Sequence, residues 1–154
     1  MIDKALFSHE SSEWQTPKLL FDSLHVEFNF QLDPCTTKDN PLGTKRFYTK
    51  EDNGLEKDWN GNVFVNPPYN REIEKWLIKQ HNEHVLNDKA KTIVFLLPVR
   101  SDTKWFHGFI YDNETQKFYD DVEVRFIKGR LKFENAKNTA PFPSMIVIFK
   151  KFSK

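Results

Sequence analysis

With 154 residues, a single cysteine and no apolar run near the ~20 residues of a membrane helix, the chain reads as one domain over residues 1–154. Lone Cys35 excludes a disulfide framework and a cysteine-built zinc cluster, and with Met1-Ile2-Asp3-Lys4 as no signal peptide, a reducing cytoplasm is expected. The net charge of +1 hides −5 over residues 1–122 and +6 over 123–154, which suits contact with a polyanion or a lysine-protected sheet edge.

Thr16-Pro17 before Lys18-Leu19-Leu20-Phe21 predicts a helix start, with Thr16 as N-cap and Pro17 in the first helical position. Phe28, Phe30 and Leu32 alternate up to Asp33-Pro34, the pattern of a strand that delivers Asp33 at its C-terminal end. Arg46 to Thr49 predicts a second short strand, and a polar turn follows around Asp52-Asn53-Gly54. Asn62 to Val65 reads as a buried strand running straight into Asn66-Pro67-Pro68-Tyr69. Asn70 then caps a helix from Arg71 to Val85, with Ile73, Trp76, Leu77 and Gln80 on its inner face. His81 and His84 on that helix are expected to face solvent rather than pair on a metal, since no third ligand is in view.

Thr92 to Leu97 is the strongest central strand, broken at Pro98. Asp102 to Tyr111 predicts a helix with Trp105, Phe106 and Phe109 inward, and Val122 to Ile127 alternates as a half-exposed strand. Met145 to Phe149 is the last strand, after a loop marked by Pro141 and Pro143. Strands alternating with helices, then a final strand pair, describe an α/β sheet that is mostly parallel with an antiparallel edge. Ligands in such sheets sit at the carboxyl ends of strands, where Asp33, Asn66 and Pro98 all fall.

Asn66-Pro67-Pro68-Tyr69 suits chemistry on a planar amine. An exocyclic base amine is a poor nucleophile because its lone pair is delocalised into the ring. Acceptors aimed at both its N–H bonds favour a pyramidal nitrogen and localise that pair. The Asn66 side-chain oxygen and the Pro67 carbonyl are candidates, and two prolines stiffen the loop that carries them. Tyr69 offers a flat face, and such stacking is worth roughly 1–3 kcal/mol per base. The same tetrapeptide also suits a plain rigid turn, with Asn66 capping and Tyr69 in the core.

Taken together, Trp14-Gln15-Thr16-Pro17, Asp33-Pro34-Cys35, Asn66-Pro67-Pro68-Tyr69, Leu96-Leu97-Pro98 with Arg100, Gly129-Arg130-Leu131 and Pro141-Phe142-Pro143-Ser144 resemble the phage-encoded N6-adenine DNA methyltransferase (Dam-like) family. The resemblance spans nearly the whole chain. It implies a compact class I, Rossmann-like methyltransferase fold, S-adenosylmethionine as cofactor, and methylation of adenine N6 in DNA in the cytoplasm of a bacterial host cell, with restriction-modification as the setting.

By the same resemblance Trp14, Thr16 and Pro17 run over the methionine end of the cofactor. Asp33, followed by Pro34 and Cys35, holds its ammonium group, and Asp52 contacts its adenine, with Glu51 or Asp58 as alternatives one turn away. Arg100, Lys104, Arg130, Lys132 and Phe133 are the candidate DNA contacts. The sequence departs from many methyltransferases in lacking Gly-x-Gly after the first-strand acid: Thr36-Thr37-Lys38 stand there, and Gly43 is the first glycine. The length leaves no room for a separate target-recognition domain, so a loose or very short recognition sequence is expected, read mainly by Lys128–Lys137. Competing readings are a methyltransferase of protein glutamine or of RNA, and a silent DNA-binding relic of the fold.

Overall fold

The computed structural model describes residues 13–151. Helix α1 (Lys18–Phe28) forms where the sequence places it, with Phe21 and Leu24 on its buried face. Its N-terminus is not capped by Thr16. The capping position is Pro17, and the carboxylate of Glu134 accepts the Lys18 N–H at 2.8 Å instead. A carboxylate at the positive end of the helix does the same electrostatic work as a local cap. It leaves the Thr16 hydroxyl for another partner.

Strand β1 (Leu32–Thr36) starts later than the alternation suggests. Phe28 ends α1 and Phe30 sits in the connection, the two rings 5.8 Å apart, with Phe30 also 5.4 Å from Phe64. The alternating aromatics therefore serve core packing, and Asp33 is the second residue of β1 rather than its last. Strand β2 (Arg46–Thr49) has the expected bounds and pairs in parallel with β1.

Strand β3 (Gly61–Val65) runs parallel to β1 and to β4 (Ala90–Pro98), which is longer than predicted and includes Pro98. A two-stranded hairpin, β5 (Tyr111–Asp112) with β6 (Lys117–Phe118), had no signal in the hydrophobic pattern. Strands β7 (Val122–Phe126) and β8 (Ser144–Lys150) close the order β2-β1-β3-β4-β8-β7, with β8 antiparallel to both neighbours. This is the expected mixed α/β sheet: a parallel core and an antiparallel edge. Its centre is dry, with Ile93–Leu97 and Met145–Phe149 buried throughout.

Helix α2 (Ile73–His81) buries Ile73, Trp76, Leu77 and Gln80, as the spacing predicts, and passes into a wide π turn over Asn82–Leu86. That turn corrects the reading of the histidines. His81 is exposed, but the wider turn brings both Glu83 and His84 inside. Glu83 meets the Lys79 ammonium at 2.7 Å and the Trp59 N–H at 3.3 Å, while His84 Nδ1 lies 3.1 Å from the Ala90 carbonyl. Burial holds His84 below its ordinary pKa, so the ring is neutral. Helix α3 (Lys104–Phe109) is shorter than predicted. It buries Trp105 and Phe106 and leaves Phe109 at the margin of the core. Among the described residues no three potential ligands gather for a metal, and no helix is long and apolar enough to cross a membrane.

Candidate active site

The four parallel strands β1 to β4 end on the same edge of the sheet, and β1, β2 and β3 hand their following loops to one cavity of about 1030 Å³. Its lining includes Trp14, Thr16, Asp33, Pro34, Cys35, Asn66, Pro67 and Pro68, so the predicted cofactor segments and the Asn-Pro-Pro loop meet in space. Pro17 and Tyr69 stand behind that lining.

Asn66 is the best-defined group in the site. Its Nδ2 donates to the main-chain carbonyl of Trp14 and to the Thr16 hydroxyl oxygen, the latter at 2.9 Å. A carbonyl can only accept, which settles which end of the amide is which. Both amide protons are thus spent, and Oδ1, buried, has no hydrogen-bond partner. An unsatisfied buried acceptor costs roughly 1–3 kcal/mol and calls for an explanation, for which a ligand donor is the natural one.

Asp33 is 2% exposed. Burial pushes its carboxyl up to about 7, against the opposing bond from the Cys35 N–H, 3.2 Å from Oδ1, and that from the Thr36 side chain. None of the described ion pairs involves it. A buried acid of this kind either keeps its proton or takes a cation as partner, and its place on a cavity wall leaves room for one. The Cys35 thiol is driven upward by burial and by the Asp33 charge, so it remains protonated and is no nucleophile.

Three predicted site residues lie elsewhere. Tyr69 is 5% exposed. Its hydroxyl donates to the Leu96 carbonyl at 3.0 Å, and Phe142 and Phe133 approach its ring at 70–82° with centroids at 5.6 and 6.1 Å. The face expected to stack a base is therefore packed in the free protein. Phe133, fully buried against Trp14, Tyr69 and Phe142, cannot touch DNA from that position. A large ring in a basic stretch is drawn inward by burial while its charged neighbours stay out. Asp52 is outside the cavity lining because its carboxylate closes the turn, accepting the Thr49 N–H at 2.9 Å and hydroxyl at 3.0 Å. Glu51 and Asn53 line the cavity in its place. Of the basic candidates, Lys104, Arg130 and Lys132 are exposed and Arg100 is half-buried.

Two features escaped the sequence reading. The loop after β7 straps the segment 13–16: Asn135 accepts the Gln15 N–H at 3.0 Å and donates to the Glu13 carbonyl at 2.9 Å, while the Glu134 N–H reaches the Gln15 carbonyl at 3.0 Å. Partners about 120 positions apart leave no local signal. The second is Gly54. The backbone there lies so close to β1 that a Cβ on Gly54 would stand 2.0 Å from the Pro34 carbonyl oxygen. The Trp59 indole N–H anchors the Gly54 carbonyl at 2.9 Å, so the contact cannot easily open. Gly54→Ala is expected to cost about 3 kcal/mol and lower Tm by roughly 5–10 °C in a thermal melt. A melt unchanged within error would show that the turn can move away.

A family model described as DNA N-6-adenine-methyltransferase (Dam) matches residues 5–154. The DNA N-6-adenine-methyltransferase of Haemophilus phage HP1 (strain HP1c1) is 32% identical over 139 residues, covering 88% of this chain and 77% of the phage protein. YfdM of Escherichia coli (strain K12), assigned as a methyltransferase, is 38% identical over 74 residues, which cover 40% of this chain and 80% of that protein. Among solved structures, PH1948 of Pyrococcus horikoshii, assigned as an RNA methyltransferase, superposes with a TM-score of 0.44 at 13% identity, over 68% of this chain and 50% of its own.

Proposed function

The chain belongs to the DNA N-6-adenine-methyltransferase (Dam) family, and from that premise we propose how its residues divide the work. The cavity takes S-adenosylmethionine. Asp33 binds its ammonium group, the segment Trp14-Gln15-Thr16 covers its methionine end, and Glu51 or Asn53 meets its far end. Asn66 Oδ1 and the Pro67 carbonyl accept the two N–H bonds of the target adenine amine. The observation that carries this reading is the orphaned Oδ1 of Asn66, held in place by the two hydrogen bonds that Nδ2 of the same amide donates, beside the cavity that Asp33 also lines.

When bound, the cofactor supplies a methyl group on a positively charged sulfur. The residues of the chain then have two tasks. Asn66 and Pro67 localise the nitrogen lone pair as charge develops on it, and the rigid Pro67-Pro68 pair keeps them from relaxing as it does so. No general base is required, because the amine proton becomes acidic once the methyl has been transferred. A duplex base must leave the stack to reach the pocket, at a cost of a few kcal/mol. Its entry displaces Phe142, a half-buried member of the aromatic cluster, and frees a face of Tyr69. Detection of N6-methyladenine by mass in DNA from cells expressing the wild type, with none above background in the Asn66→Ala form, is the direct test.

Arg130 and Lys132 lie exposed on the loop that straps the segment 13–16, and they are the first candidates for phosphate contact, with Lys104 and Arg100 beside the end of β4. Removing either Arg130 or Lys132 should weaken binding to about the same extent on DNAs of different sequence. It should also reduce the slope of log affinity against log salt by about 1 per residue. A loss confined to one sequence would instead make that residue a base reader. Such backbone-directed contacts carry no sequence information of their own.

A further inference from the structure

An asparagine amide has two ends of almost the same shape. Turned the wrong way, Asn66 would aim two N–H groups at the N–H groups of the substrate amine and repel it. We propose that Thr16 is a positioning residue that, beside the Trp14 carbonyl which forbids the reversed amide, fixes Asn66 with Oδ1 toward the base. The inference rests on the assignment of Asn66 as the amine acceptor and deepens it by saying what orients that acceptor.

Thr16 is 7% exposed, and its Oγ1 takes one Asn66 N–H while the Trp14 carbonyl takes the other. If the amide turned over, its oxygen would face the Trp14 carbonyl oxygen, acceptor against acceptor. The Trp14 carbonyl alone would leave the second N–H loose; the Thr16 oxygen completes the pair. The segment carrying both acceptors is itself braced on either side of Trp14, by Asn135 at the Glu13 carbonyl and the Gln15 N–H. With its oxygen accepting from Asn66, the hydroxyl of Thr16 keeps one hydrogen to donate, and Thr16 lines the cofactor cavity.

The test is a double-mutant cycle in single-turnover methylation of a DNA duplex at saturating cofactor and DNA. Thr16→Val removes the acceptor at nearly constant volume and is expected to lower the rate roughly tenfold, and Thr16→Ser, which keeps the oxygen, to restore most of it. In the Asn66→Ala background Thr16→Val should change the residual rate by no more than about twofold, because no amide is left to orient. An equal loss in both backgrounds would make Thr16 a cofactor or structural residue only, and an undiminished rate in Thr16→Val would equally overturn the proposal. Should Thr16→Val not fold, Thr16→Ala, which adds no bulk, enters the same cycle with the same outcomes. Failure of the underlying reading looks different: Asn66→Ala alone would then methylate at the wild-type rate.

Discussion

Asn66→Ala is expected to lower methyl transfer by roughly 100- to 1,000-fold at saturating cofactor and DNA, while S-adenosylmethionine still binds with near wild-type affinity. The size follows from what the side chain does. It adds little to holding the substrate in its ground state, where the amine is planar and its lone pair delocalised. Its acceptor gains strength only as the nitrogen takes on positive charge, in a pocket that excludes water. The loss should therefore appear in the rate at saturation rather than in KM. Removing the side chain takes away an acceptor that is buried and unsatisfied in the free protein, and with it two hydrogen bonds from Nδ2. Those effects oppose one another, so Tm should move little. Calorimetry with the cofactor and a melt beside the rate measurement separate a catalytic defect from a folding one. A variant that folds, binds cofactor and methylates normally would remove Asn66 from the mechanism.

Cofactor affinity is expected to depend on pH through Asp33. Burial raises its carboxyl to about 7 in the free protein, so below that pH the empty site holds a neutral acid. Binding a cofactor ammonium requires the carboxylate, and the proton must leave. The dissociation constant should fall about tenfold per pH unit on approaching pH 7 from below and level off above it. Stability of the free protein runs the other way. The folded state binds more protons than the unfolded chain between the ordinary carboxylate range and pH 7, so Asp33 takes away stability as pH rises through that window and takes no more above it.

Asp33→Asn therefore makes two opposite predictions at pH 8: a free protein with higher Tm, and cofactor affinity lower by roughly 10- to 100-fold. Titration calorimetry across pH 5.5–8.5 with a paired set of melts would show both, and the variant should lose the pH dependence of binding. A dissociation constant flat with pH in the wild type would mean that Asp33 does not receive the charged end of the cofactor.

The distribution of what could and could not be read from the chain has a physical pattern. The inner face of α2, the bounds of β2 and the dry central strands follow from periodicity, because burial sorts residues at intervals set by the backbone itself. The Asn-Pro-Pro loop at the end of a strand is equally local: two prolines constrain the chain whatever surrounds them. Where the sequence reading went astray, one particular partner, near in the chain or far, had decided the matter. Phe28 and Phe30 alternate like a strand, but Phe30 packs on Phe64 and Phe28 on Phe30, and His84 turns inward because a π turn and the Ala90 carbonyl receive it. Asp52 is an acid in the right neighbourhood whose side chain is spent on Thr49.

By itself, then, the sequence determined where most of the strands and helices lie, the β5–β6 hairpin and the π turn apart, and which residue types gather at strand ends, since each depends on contacts within one turn or one strand of the backbone. Only the tertiary structure decided the state of those residues. Asn66 keeps its oxygen unpaired because Trp14 and Thr16, fifty positions away, take its protons; the Asp33 carboxyl is pushed up to about 7 because the assembled core strips water from it; and Phe133 leaves the basic loop surface for the aromatic cluster. Orientation, desolvation and burial are properties of neighbours, and neighbours from opposite ends of the chain exist only once it has folded.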